Sequence, residues 1–340
     1  MSVICFGSLK GGVGKTSLSV NVAHAFAERG CEVLLIDLDP MGHASRFFEL
    51  GRVRVPAAES PIARLFLTCE FERKNADLGE MVEAAIGAHV SLITPVRTGL
   101  ALLPSGPELR HFLWGRGARL FKELFPRLLQ ELSCRYDYIV IDTPPDFNVL
   151  TRNAIASSDV VVVPVDSSAM SIHCLEEIVS SSAHIRGPAW TIVRSMVTRQ
   201  ASRMQQLTTD RLGEKLLVQN AKESMDDEDD DSDLDLSNPL DFMSSIEKKE
   251  ARESARAPQT DSPGKAPASP IYLLRSLIYR TEQQNRLSFV GKTAFDVKGS
   301  PLREHYSAVS REIEGILALA AENDPLLDVN ENFPLSVGLQ

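Results

Sequence analysis

Lys10-Gly11-Gly12-Val13-Gly14-Lys15-Thr16-Ser17 is the stretch on which the fold turns. It follows a short apolar run, residues 3–8, and opens a helical pattern that continues from Lys15 to about Arg29, where Gly30 is placed to end it. Glycines at 11, 12 and 14 let the backbone curl until several N–H groups point inward. The first helical turn adds the positive end of its dipole, and the two together form a nest for phosphate. Lys15 is spaced to reach the β- and γ-phosphates of a nucleotide, and the Thr16 hydroxyl to ligate Mg²⁺. A glycine turn with a purely structural task has no need of the Lys-Thr pair.

Two acidic stretches lie outward from this loop. Asp37-Leu38-Asp39-Pro40 closes the apolar run Val33-Leu34-Leu35-Ile36. Asp142, in Ile141-Asp142-Thr143-Pro144-Pro145, closes Tyr138-Ile139-Val140-Ile141. In an open α/β sheet, the carboxyl ends of the strands border the crevice where ligands bind. Asp142 has the placing of a Walker B acid, which holds Mg²⁺ directly or through water. Taken singly, each stretch also has a plainer but less favoured reading, a helix cap for the first and a strand-end turn for the second. With the glycine loop, and in this order, they read as one site for ATP and Mg²⁺.

The continuous apolar runs at 33–37, 138–142 and 160–165 predict strands buried on both faces, with weaker candidates at 190–197 and 271–279. Helical patterns fall at 81–88, 106–132, 170–185, 203–219 and 301–321. Strands alternating with helices predict an α/β fold: a doubly wound, mostly parallel sheet flanked by helices, of P-loop NTPase type. The expected organisation is one ATPase domain from residues 1–222 and 271–321. It is interrupted by an acidic, Pro-containing insertion at 223–270 read as disordered, and followed by a tail at 322–340.

Composition narrows the function. The chain has 340 residues, 43% hydrophobic and 24% charged, as expected of a globular protein with a sizeable core. Its five cysteines (Cys5, Cys31, Cys69, Cys134, Cys174) form no C-x-x-C pair, which argues against zinc or iron–sulfur sites and for a reducing compartment. No apolar run approaches the length of a transmembrane span, and no secretion signal is read at the start, so the expectation is cytoplasmic. The net charge of −10 comes from residues 223–262, which hold 14 acids and four bases. By contrast, residues 190–222 carry six bases against two acids, and residues 271–312 seven against four. The late part of the folded region is therefore locally basic, and the acidic tract lies between the two basic stretches in sequence.

The three motifs together resemble the ParA/MinD family of deviant-Walker P-loop ATPases, most closely the short, Soj-like ParA partition ATPases that lack an N-terminal DNA-binding domain. Leu103-Pro104-Ser105-Gly106, Pro164-Val165, and Ile278-Tyr279-Arg280 followed by Gly291-Lys292 and Asp296 extend the likeness to about three-quarters of the chain. The resemblance implies that Lys10 is a signature lysine reaching across a dimer to the partner's nucleotide. It implies that residues 10–17 (Lys10, Gly11, Gly12, Val13, Gly14, Lys15, Thr16, Ser17) and Arg280 contact the nucleotide. Asp39 would position the attacking water, Thr16, Asp37 and Asp142 would serve the metal, and Thr143-Pro144-Pro145 would sense the γ-phosphate. Arg199, Arg203 and Arg280 would bind DNA without sequence preference. Met41 and His43 stand where the family usually has Gln and Asn, and Tyr279 where it has Pro. His43 itself reads as a structural or solvent-exposed loop residue.

The function implied is a partition ATPase that dimerises with ATP, coats nucleoid DNA, and is released when a ParB-like partner stimulates slow hydrolysis. A MinD-like membrane cycler is the main alternative. It requires a basic amphipathic C-terminal helix, whereas residues 313–340 contain no Lys or Arg. A relative of the nitrogenase iron protein would need paired cysteines. Positioning of a protein cargo by the same DNA-based cycle is not separable from DNA segregation on sequence grounds.

Overall fold

The computed structural model describes residues 1–51, 62–64, 66, 93–182, 185, 187–197 and 271–321. These belong to one unit of the chain, Met1–Leu212 with Ser269–Gln340. The expected helices at 81–88 and 203–219, Arg199, Arg203, the insertion at 223–270 and the tail at 322–340 lie outside the described residues.

The first half of the element order is β1 (Ser2–Phe6), α1 (Lys15–Ala27), β2 (Val33–Asp37), α2 (His43–Leu50), β3 (Thr94–Arg97), β4 (Leu100–Leu103), a 3-10 turn (Pro107–Phe112), α3 (Gly115–Leu132) and β5 (Tyr138–Asp142). Then follow α4 (Val149–Ala156), β6 (Val160–Val165), α5 (Ala169–Ser181), β7 (Ala189–Val197), β8 (Ile271–Tyr279), α6 (Glu282–Phe289) and α7 (Leu302–Ala321). The eight strands form one sheet in the order β3-β4-β2-β5-β1-β6-β7-β8. Every pairing is parallel except that of β3 with β4, an antiparallel hairpin at one edge.

Every residue of β2 and β6 is buried, because a parallel sheet carries helices on both faces. Ile4 and Phe6 of β1, Val33 and Leu35 of β2, Val140 of β5 and Val160 and Val162 of β6 share one apolar cluster with α1 and α7. Their alternating neighbours, such as Cys5, Leu34, Ile36, Ile139 and Val161, are also buried and face the other side. Helix α7 buries Leu302, Tyr306, Val309, Ile313, Ile316 and Leu317, a three-and-four spacing that makes one apolar stripe. Phe26 of α1 is fully buried and stacks on Tyr138 of β5 at 4.2 Å. Truncating it to Ala costs roughly 3–5 kcal/mol.

Several boundaries differ from the sequence reading, among them that of α5, which ends at Ser181 rather than 185. The first strand stops at Phe6 rather than Ser8, because Gly7 and Ser8 already belong to the phosphate loop. Helix α1 stops at Ala27 rather than Arg29, and Gly30 takes φ 87° and donates its N–H to Ala27 O. The helix expected over 106–132 is two pieces: the 3-10 turn at Pro107–Phe112 gives way to α3 at Gly115, whose φ of 57° turns the chain between them. His43 is the first residue of α2, not a loop residue.

Candidate functional site

Register brings the acids together. Asp37, the last residue of β2, pairs directly with Asp142, the last residue of β5, and Phe6 at the end of β1 flanks Asp142 on the other side. The chain leaving β1 is the glycine loop. Gly12 and Gly14 have φ of 78° and 83°, which side chains rarely adopt. A Cβ on Gly14 would also stand 3.0 Å from Met196 Cε. The end of β7 therefore backs the loop, and Ser195 Oγ donates to Val13 O at 2.7 Å. This support was not legible from residues alone, because Ser195 lies 182 residues from its partner.

Lys15 is 8% exposed. Its ammonium donates to Thr143 O and lies 3.7 Å from Asp142 Oδ1. Thr16 Oγ1 donates to Asp142 Oδ2 at 2.8 Å, and Thr143 Oγ1 donates to Phe6 O at 2.8 Å. These contacts bind the start of α1 to the ends of β1 and β5. Asp142 Oδ1 is buried without a hydrogen-bond partner. Burial raises the Asp142 carboxyl, against the lowering by Lys15 and by the Thr16 hydroxyl. Burial pushes Asp37 up to about 7, and the neighbouring Asp142 charge adds to the rise.

Hydroxyls hold the acid loop in place. Ser45 of α2 donates both its N–H and its Oγ–H to Asp37 Oδ2, each at 2.8 Å. Its oxygen in turn accepts the Ser105 N–H at 2.9 Å. Ser105 Oγ donates to Asp39 O at 2.5 Å, so Asp37, Ser45, Ser105 and Asp39 form one chain of contacts. Ser105 belongs to the Leu103–Gly106 segment quoted from sequence, but its task there was not legible. Asp39 is 2% exposed.

The remaining described candidates lie at the carboxyl ends of the strands or on the loop after β1 and the helix turn that follows it. Lys10 Nζ is held by Asp166 Oδ2 at 2.5 Å and Ser168 Oγ at 2.7 Å. Burial works to raise the Asp166 carboxyl, but hydrogen bonds from Lys10, Ser171 and Ser168 outweigh it and hold the group well below the usual carboxylate range. Arg280 follows β8, is exposed, and donates its N–H to Val197 O at 2.8 Å. Gly11, Gly12, Val13 and Gly14 line the loop, and Ser17 is in the first turn of α1.

The donors fit a magnesium nucleotide. The glycine loop has the positive φ angles of a phosphate-binding turn, and Lys15 supplies a buried cation. A cation close to Asp142 Oδ1 would satisfy an orphaned oxygen and relieve the repulsion that raises Asp37. Among the described residues, no group of three or more His, Cys, Asp or Glu could hold a metal alone. Mg²⁺ is bound in such sites through one or two carboxylates together with phosphate oxygens, and Thr16, Asp142 and Asp37 are the residues that could hold it.

A family model described as an AAA domain (AAA_31) matches residues 1–187, the segment from β1 to the approach to β7. The chain belongs to the ParA/MinD family of P-loop ATPases. Over 180 residues it is 31% identical to the sporulation initiation inhibitor protein Soj of Bacillus subtilis, covering 53% of this chain and 64% of that protein. It is 33% identical over 185 residues to the chromosome-partitioning ATPase Soj of Thermus thermophilus, covering 54% and 62%. The chain thus spans less than two thirds of the length of these relatives. An ATP complex of a McdA variant from Cyanothece shares the fold, with a TM-score of 0.60 at 17% identity, covering 93% of this chain and 96% of that one. A plasmid partition protein of Borrelia burgdorferi bound to AMPPNP does so at a TM-score of 0.54 and 19% identity, covering 92% and 99%. Among the described residues, no helix is long and apolar enough to cross a membrane.

Proposed function

We propose that this ParA/MinD-family chain is a DNA-partition or positioning ATPase. Two copies close on ATP, and the pair binds DNA without sequence preference. Slow hydrolysis, stimulated by a ParB-like activator, releases it, and its place of action is the nucleoid. The observation that carries the reading is the gathering of Lys10, Lys15, Thr16, Asp37, Asp39 and Asp142 at the carboxyl ends of β1, β2 and β5 and on the loop between β1 and α1.

In this reading each residue has its own task. The loop N–H groups and Lys15 bind the phosphates, and the α1 dipole adds to the attraction. Bound Mg²⁺ neutralises charge on the phosphate oxygens, and Thr16, Asp142 and Asp37 would hold it. Asp39 orients the attacking water. Thr143 ties Lys15 to the end of β5, so a change at the phosphates reaches the Thr143-Pro144-Pro145 turn. Lys10, once released from Asp166 and Ser168, would reach the nucleotide of a second copy. The basic stretches late in the chain, Arg199, Arg203 and Arg280 among them, meet DNA phosphates, a contact that carries no base readout.

Retention of mixed-sequence DNA fragments by the full chain tests the reading, compared with ATP, with ADP and without nucleotide. Retention with ATP alone, prolonged in Asp39→Ala because the cradle stays while turnover stops, is the expected result. Equal retention in all three states overturns the coupling of DNA binding to the nucleotide.

A further inference from the structure

We infer that His43 is a positioning residue for hydrolysis, locking the Asp39 carboxylate in the orientation its task requires; the inference rests on the ATPase reading above. Asp39 stands in a turn pinned at nearly every backbone atom. Its N–H donates to Asp37 Oδ1 at 3.1 Å. Its carbonyl accepts the Gly42 N–H at 2.7 Å and the Ser105 hydroxyl at 2.5 Å. Gly42, at φ 64°, lets the chain turn directly into α2. The side chain is less constrained. Oδ1 accepts the Met41 N–H at 2.9 Å, and one contact on one oxygen leaves a carboxylate free to rock about its broad terminal torsion.

The second oxygen decides the matter. Asp39 Oδ2 faces His43 Nδ1 at 3.1 Å. A carboxylate only accepts, so Nδ1 carries the proton and donates. The histidine side chain is 56% exposed and the aspartate side chain 3%. The ring thus stands on the solvent side of a buried acid, on the first residue of a helix whose next turns are anchored in the core by Ala44, Phe47 and Phe48. Two donors on two oxygens fix the carboxylate plane. Reacting groups must be held within about 0.5 Å of productive geometry, which is what one donor alone does not achieve.

His43 is itself more than half exposed, so removing its ring opens Asp39 Oδ2 to solvent and leaves the core packing of α2 untouched. The worth of the contact is therefore in turnover rather than stability, and the two are separable. His43→Ala removes the donor. His43→Asn retains it, because Asn Nδ2 stands, like Nδ1, one bond beyond Cγ.

The test is single-turnover hydrolysis of radiolabelled ATP by the full chain with Mg²⁺ and no activator, together with calorimetric ATP affinity and sedimentation of the ATP-bound state. His43→Ala should lower the rate on the order of tenfold, well inside the loss that a small misplacement can cause. Its ATP affinity, dimerisation and melting temperature should match wild type. His43→Asn should recover the rate to within about threefold of wild type. Wild-type turnover with His43→Ala unchanged overturns this inference alone. So does His43→Asn being as slow as His43→Ala, since the ring would then act by something other than its donated hydrogen bond. A wild type that binds ATP but never cleaves it overturns the ATPase reading and this inference together.

Discussion

Lys10 is paired within its own chain: Asp166, at the end of β6, holds its ammonium at 2.5 Å, and Ser168 Oγ adds a contact at 2.7 Å. If Lys10 is to serve a nucleotide in a second copy, this pair must break first. Asp166 Oδ1 meanwhile accepts from the Ser168 N–H and from the hydroxyls of Ser168 and Ser171, so the acid also organises the start of α5.

Asp166→Asn separates these tasks. Asn keeps an oxygen for Ser168 and Ser171 but drops the charge facing Lys10. Both partners of the pair are 23% exposed, and a partly exposed pair is worth about 1 kcal/mol or less. The ATP-bound dimer should form at up to about fivefold lower protein concentration, read by sedimentation velocity. Lys10→Ala should fail to form a productive dimer at any accessible concentration. A weaker dimer from Asp166→Asn would mean that Asp166 serves the paired state rather than competing with it.

Lys15→Ala should weaken nucleotide binding severely. The ammonium is buried against Thr143 O and Asp142, where a charge-assisted contact is worth about 1.5–3 kcal/mol. Removing it takes away the cation that faces the phosphates and leaves Asp142 without its nearest compensating charge. Calorimetry with Mg-ATP should show affinity reduced about ten- to hundredfold. Near-normal affinity would remove Lys15 from the site.

His24 gives a pH signature. It is buried in α1, its Nδ1 lies 2.6 Å from Thr293 Oγ1, and burial holds its pKa below the usual imidazole value despite Asp296 and Glu28. A depressed folded value means that the unfolded chain takes up the proton first. The stability contributed by neutral His24 is thus full above the unfolded value and is lost as pH falls toward the folded one. Asp37 works in the opposite sense, because its value is raised to about 7: its contribution is present at low pH and lost as pH rises through that value. The wild-type slope therefore mixes the two. The difference in melting temperature between wild type and His24→Gln, followed from pH 7.5 down to about 5, isolates His24. The wild type should lose its advantage as pH falls, and a constant difference would show that His24 titrates alike in the folded and unfolded states.

Much of this architecture could be read from residues alone, for a physical reason. Strands β2, β5 and β6 are continuous apolar runs because both faces are covered, and the phosphate loop announces itself by glycines at positive φ. What escaped was short or distant. Strands β3 and β4 have four residues each, and the first, Thr94-Pro95-Val96-Arg97, mixes a proline and a charge at an edge. Helices α2, α4 and α6 have eight residues each, too few turns to show a period. The partnership of Lys10 with Asp166 spans 156 residues, and that of Asp39 with His43 was hidden by reading His43 as a loop residue. Contacts of side chains across the sheet leave no periodic trace.

Arg280 carries the last prediction, because the family likeness gives it both a nucleotide and a DNA to meet. Its N–H is tied to Val197 O, and it follows β8, the edge strand, with β6 and β7 between it and β1. Three strand spacings place its backbone ~14 Å from the strand that feeds the phosphate loop. Its side chain is exposed. From that position the guanidinium is better placed for a phosphate backbone lying across the sheet edge than for the nucleotide beside Lys15. Arg280→Glu should therefore leave Mg-ATP affinity within about threefold of wild type, and weaken binding to all DNA sequences alike. Each phosphate contact contributes about 0.9 to the slope of log affinity against log salt. A dimer losing one contact per copy should have a slope shallower by about 1.8, measured by fluorescence anisotropy across a salt series with ATP present. An unchanged slope accompanied by a large loss of ATP affinity would assign Arg280 to the nucleotide instead.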